Sequence, residues 1–188
     1  MDKKLNKFVM RKIEKKDLQT RVEWINDPRI YMTMNIPVPV TLKSTLKWFE
    51  RCNNDKSRND LVLERNNEVV AMEGLYNRKN DSAELYTFVN PELKGLGIGT
   101  IARFVEMVWG FEIFKLEEIT SIIDINNLAS IRSFERAGFK LLKIEKNELE
   151  KQGQLIDRCY YALKKKDFDF SRFSYSIKGK SLELEIYG

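Results

Sequence analysis

Residues 90–100 read NPELKGLGIGT and place Gly95, Gly97 and Gly99 at alternate positions, in a chain of 188 residues that holds only nine glycines. They follow an apolar run that ends in a proline, and an apolar helical pattern starts at once. A loop of this kind at a helix start leaves main-chain N–H groups unpaired, and the helix dipole adds partial positive charge. Glycine keeps side chains away from an approaching oxyanion and supplies positive φ. The chemistry expected here is the holding of a phosphate group by backbone amides. A glycine-rich turn without a ligand is the plainer alternative.

Composition limits what else can react. The chain has no histidine. That removes Ser-His and Cys-His nucleophile pairs, HExxH zinc sites and histidine bases, and no metal is expected. Cys52 and Cys159 have neither metal nor redox spacing and are expected to be packing residues. The net charge of +5 and pI of about 9.1 suit any anionic ligand. The lysines of residues 3–16 and 164–166 are mixed with acids and lack interleaved aromatics, which argues for a solvated surface over a nucleic-acid partner. No apolar run is long enough to span a bilayer and the first residues do not resemble a secretory signal, so a cytoplasmic protein without a membrane partner is expected.

Two phosphate-binding classes can be weighed against the loop. A P-loop needs Lys-Ser/Thr after its last glycine, and Gly99 is followed by Thr100-Ile101. GIGTIA (97–102) fits the dinucleotide pattern GxGxxG/A, but three antiparallel strands are expected before it, not the opening of a parallel βαβαβ unit. A nicotinamide or flavin enzyme stays as an alternative.

The elements that must position the loop follow from patterning. KFVMRKI (7–13) suits a first strand. Leu18, Val22 and Ile25 share a helical face that ends before Pro28. YMTMNIPVPV is too proline-rich for a central strand and is expected as a loop beside a binding cleft. Thr41 caps a second helix whose buried stripe is Leu42, Leu46 and Phe49. DLVLER, EVVAMEGLYN and SAELYTFVN are three strands, the first two joined tightly at Asn66-Asn67. Ile98, Ile101, Val105 and Val108 start a helix expected to run to about Lys115. EITSIIDI is a short buried strand, LASIRSFERAG a helix stopped by Gly138, and FKLLKIEKNEL and RCYYALKK two further strands. This order is α+β with a mixed sheet.

VNPELKGLGIGT resembles the pyrophosphate loop of the GNAT acetyltransferases, whose pattern is Q/R-x-x-G-x-G/A after a strand, with Lys94 in the first place. NLASIRSFERAGF (127–139) is similar to that family's later helix beside the pantetheine arm, and the likeness covers most of residues 8–166. The resemblance implies a mostly antiparallel sheet of about seven strands flanked by helices, with one parallel pair that splays apart. It implies acetyl-CoA as co-substrate in that opening, bound by main-chain groups of Phe88 and Val89, by the amides of Leu96, Gly97, Ile98, Gly99 and Thr100 beyond Gly95, by the charge of Lys94, and by Asn127. The Val89 N–H would meet the oxyanion of direct transfer to an amine.

The tyrosine that many members place in the later helix to protonate the leaving thiolate is Phe134 here. In its stead Ser130 resembles the serine of the RimJ/RimL-type branch and is the candidate donor, with helix capping its alternative role. Glu84 is the preferred general base, with Glu73 as substitute. The acceptor is left as a small or sugar-linked amine or a protein N-terminus. A non-catalytic acetyl-CoA sensor is the alternative that Phe134 favours.

The chain is expected to divide into a transferase domain at 1–167 and an extension at 168–188. SYSIKGKSLELEIY in that extension alternates about Lys178-Gly179-Lys180 like a hairpin. It would cover a sheet edge of its own domain or pair with another subunit in a homodimer.

Overall fold

A computed structural model describes residues 5–93, 95–151 and 153–187. Its strands are β1 (Leu5–Lys12), β2 (Asn59–Arg65), β3 (Glu68–Lys79), β4 (Ser82–Val89), β5 (Glu118–Asp124), β6 (Lys140–Lys151), β7 (Gln154–Lys164), β8 (Tyr175–Lys178) and β9 (Ser181–Tyr187). They form one sheet in the order β6-β7-β5-β4-β3-β2-β1-β9-β8. Pairing is antiparallel throughout except between β4 and β5. The expected seven strands become nine because β9 pairs with β1 and carries β8 beside it.

Local chemistry fixes the turns. Asn66 and Asn67 adopt φ of 52° and 71°, as a two-residue hairpin between β2 and β3 requires. Asn80 at φ 53° turns β3 into β4. Of the helices, α1 (Leu18–Ile25), α2 (Pro28–Tyr31) and α3 (Leu42–Asn53) lie on one face, where Trp24, Ile25 and Phe49 pack against Val62, Met72 and Phe88. Helix α3 starts at the expected cap, Thr41, with a reciprocal box to Ser44. Its buried stripe differs from expectation. Thr45, Phe49 and Cys52 face inward, while Leu42 in the first turn projects beyond the layer and is 43% exposed.

The opposite face carries α4 (Ile98–Val108) and α5 (Leu128–Arg136). Helix α4 ends in a π-turn, Trp109–Ile113, short of the expected Lys115, which has φ 58° and breaks the pattern. Every residue from 102 to 111 is buried. A helix buried on all sides needs cover on both. The sheet supplies one cover. Phe168, Phe173 and Tyr175 supply the other, with ring centroids 5.4, 5.0 and 6.0 Å from Phe104. Gly138, at φ 94°, closes α5 as expected. Cys52 and Cys159 are free, buried thiols.

Candidate active site

Strands β4 and β5 pair only over Ser82–Glu84 and Glu118–Thr120, then part. The separation leaves one edge of residues 85–89 unpaired. The amide of Asn90 donates to Val70 O, and strand alternation therefore turns the polar groups of Phe88 toward β3 and those of Thr87 and Val89 toward the gap. Phe88 thus differs from expectation. Its backbone belongs to the ladder with Met72, and its ring stacks on Tyr86 at 6.1 Å on the α1–α3 face.

The glycine loop lies at the open end of this gap. Gly95 and Gly97 have φ of 88° and 79°, a region that side chains disfavour. Leu96 N already donates to Leu93 O and Thr100 N to Gly97 O. Among the described residues of the loop, the amides of Gly95, Gly97, Ile98 and Gly99 have no main-chain partner, so Leu96 and Thr100 drop out of the expected set. Gly99 is not forced by packing, since a Cβ there would meet only Val89 Cγ2 at 3.7 Å. Lys94 lies outside the described residues.

A cavity of about 700 Å³ occupies the gap and continues beneath α3 and the loop of residues 33–40, as expected for a cleft-side loop. Asn127 and Ser130 both line it. Asn127 caps α5, its Oδ1 accepting from Ser130 N at 3.2 Å, while Ser130 stands one turn before Phe134 on the cavity side. Phe134 is 3% exposed, with the Arg103 guanidinium 3.7 Å above its ring.

Glu84 stands where β4 and β5 part, on the α3 face, and does not line the cavity. Its carboxylate accepts from Tyr76 Oη and Asn77 Nδ2, both at 3.0 Å. Tyr76 does line the cavity, so Glu84 reaches it through that hydroxyl. Burial, and then the Glu84 charge, push the Tyr76 phenol upward and keep it neutral. Sequence reasoning missed Tyr76.

Glu73 lies on the other face, wholly buried and without a hydrogen-bond partner. Burial and the neighbouring Glu106 hold its carboxyl well above the usual range. Glu106 itself accepts from Thr87 Oγ1 at 2.6 Å and Gly74 N at 3.2 Å, and burial pushes it up to about 8. Arg103 answers the pair, lowered by burial to about 10. These three form a buried layer under the gap, and Glu73, wholly buried, does not line the cavity. The missed signal was the placing of Arg103 and Glu106 inside an otherwise apolar helix, where a charge must be buried.

On the α3 face, Tyr86 Oη donates to Asp60 at 2.6 Å, and Asp60 also receives Arg58 twice at 2.7 Å. Gly74 permits this, because a Cβ there would stand 2.2 Å from the Tyr86 ring. Among the described residues no cluster of acids and cysteines could hold a metal, and no helix is long and apolar enough to cross a membrane.

The profile of one family, described as Acetyltransferase (GNAT) domain, matches residues 7–140. No curated protein sequence matches. Solved structures share the fold: a spermidine N-acetyltransferase from Vibrio cholerae in complex with CoA and spermine superposes with a TM-score of 0.80 at 18% identity, covering 85% of this chain and 96% of its own. An N-acetyltransferase from Staphylococcus aureus Mu50 gives 0.73 at 22%, covering 84% and 98%. A ribosomal-protein-alanine N-acetyltransferase from Brucella melitensis gives 0.73 at 24%, covering 82% and 98%.

Proposed function

The chain belongs to the GNAT acetyltransferases, enzymes that use acetyl-CoA, and from that premise we propose that it transfers the acetyl group by direct attack of a primary amine on the thioester. The observation that carries this is the gap between β4 and β5, with the Val89 amide on its edge and the free amides of residues 97–99 at its mouth. In this reading those three amides hold the diphosphate, with Gly95, Leu96 and Thr100 shaping the loop and the charge of Lys94 added to it. Asn127, whose Oδ1 is used in capping, offers its NH2 to the pantetheine arm.

An alkyl amine has a pKa of about 10 and must lose a proton to attack. The proton passes by way of Tyr76 Oη to Glu84. The amine nitrogen bonds to the carbonyl carbon, and the oxygen takes the electron pair and is met by the Val89 N–H. Collapse of this intermediate breaks the C–S bond. The thiolate, of a simple-thiol pKa of about 8.5, takes a hydrogen bond from Ser130, since Phe134 has no proton to give.

The same reading takes the chain as a cytoplasmic protein of the RimJ/RimL-type branch, with a transferase domain at 1–167 extended by residues 168–188. Exposed Leu142, Ile144 and Leu155 on the β6–β7 side support a homodimer. A second reading, a non-catalytic acetyl-CoA sensor, draws on Phe134. Release of CoA thiol over a panel of amines, with a mass gain of about 42 on one of them, separates the two; binding of acetyl-CoA without release would favour the sensor. Glu84→Gln is expected to cut turnover about 10–100-fold below pH 8, with recovery at high pH where free amine accumulates. A wild-type rate at every pH removes Glu84 from the mechanism.

A further inference from the structure

We propose that the acceptor amine belongs to an anionic small molecule, one carrying a phosphate or carboxylate group that Arg21 and Arg51 hold against the α1–α3 wall of the cavity. This rests on the transferase reading above and narrows its substrate class.

Charge on the cavity wall is one-sided. Five arginines line it, at positions 21, 51, 58, 103 and 158, against a single carboxylate, Asp124. Two of the five are held in ion pairs. Arg58 is clamped to Asp60. Arg158 faces Asp124 at 3.8 Å, an acid that also receives Lys151 at 3.1 Å. Arg103 forms no ion pair among the described residues, and its Nε and Nη1 are buried without a hydrogen-bond partner, but it lies on the α4 side, over the Phe134 ring and beside Glu106 and Glu73.

Arg21 and Arg51 stand on the other side of the cavity, on α1 and α3. Among the described residues, neither forms an ion pair. Arg21 is only 8% exposed, its Nε buried without a hydrogen-bond partner. Its guanidinium lies 3.8 Å over the Trp48 ring, which fixes the plane of its donors. Buried guanidinium nitrogens are normally satisfied, and an unsatisfied one in a cavity wall points to an occupant that supplies the acceptor. Arg51, on α3 with Trp48, adds a second charge from the exposed side of the same wall.

The phosphates of acetyl-CoA do not explain these two. The free amides at residues 97–99 lie at the N-terminus of α4, on the opposite face of the sheet from α1 and α3. A polyamine would bring cations against arginines, and a neutral amine would leave Arg21 unanswered.

The test holds CoA at saturation, so that the diphosphate site is filled, and titrates inorganic pyrophosphate and citrate by calorimetry. One or both bind, with affinity that falls as salt rises; preference between them tells a phosphate from a carboxylate. Arg21→Met and the exposed Arg51→Glu each weaken that binding at least tenfold and leave the affinity for acetyl-CoA unchanged. In turnover, glucosamine 6-phosphate and glutamate are compared with glucosamine and spermidine. An anionic amine acetylated best supports the proposal. Probe affinity indifferent to both substitutions overturns it, as does turnover that favours spermidine or uncharged glucosamine. Failure of the unaltered protein to bind acetyl-CoA would strike the transferase reading instead.

Discussion

The two walls of the cavity are built on different principles. The α4 side offers main-chain amides, whose direction follows from where glycines and a helix start fall in the chain. The α3 side is lined by side chains: Arg21 from α1, Trp48 and Arg51 from α3, Tyr76 from β3, Tyr86 from β4. Backbone recognition is a local property of a dozen residues. The side-chain wall is assembled from four separate elements of the chain and exists only once the sheet has formed.

The largest expected effect strikes the backbone wall. Gly97→Glu puts a carboxylate among the free amides and a side chain at φ 79°. Affinity for acetyl-CoA should fall by more than about 100-fold by calorimetry, while the left-handed conformation costs about 1–2 kcal/mol of stability. Unchanged affinity would show that the loop does not hold the diphosphate.

The layer between the walls should show itself in stability against pH. Glu106 titrates at about 8 in the folded chain against 4.5 unfolded. The folded state therefore binds more protons between those values, and the stabilisation, fully present below pH 4.5, is lost as pH rises through 8. The loss is on the order of a few kcal/mol. Denaturant midpoints from pH 5 to 8.5 should fall in the wild type and stay flatter in Glu106→Gln. Equal slopes would mean that the carboxyl is ionised when folded.

Next comes the side-chain wall. Gly74→Ala forces the Tyr86 ring off β3, at about 1–3 kcal/mol by urea denaturation, and disturbs the Asp60–Arg58 clamp. Acetyl-CoA binding should persist, since the other wall is untouched. Loss of both together would mean the walls are not independent. The smallest effect is Ser130→Ala, expected to slow turnover several-fold, about 1 kcal/mol for one hydrogen bond, with acetyl-CoA affinity unchanged. A wild-type rate leaves Ser130 with only its helix-start position.

This contrast also explains what the sequence made legible. The strand order, the Asn66-Asn67 hairpin, the Thr41 cap and the Gly138 stop all depend on neighbours in the chain, and each stands where patterning put it. The glycine loop belongs to the same class. Leu42 fails as a core residue because periodicity gives the face of a helix but not how far the adjoining layer extends. Phe88 fails as a gap residue because the parity of the β3–β4 ladder, not its sequence, decides which amide turns outward. Tyr76 escaped notice because nothing near it in the chain says that Glu84 lies across the hairpin.

The aromatic strip at Phe168, Phe170 and Phe173 ties the chain beyond β7 mechanically to the glycine loop, the proposed diphosphate cradle. Helix α4 is clamped between the sheet and that strip, and the cradle is the tip of the clamped rod. Whatever peels the strip away, a protease cut near Lys166 or a competing surface, would let the rod tilt and open the grip some ten residues upstream, without touching any group that meets the ligand.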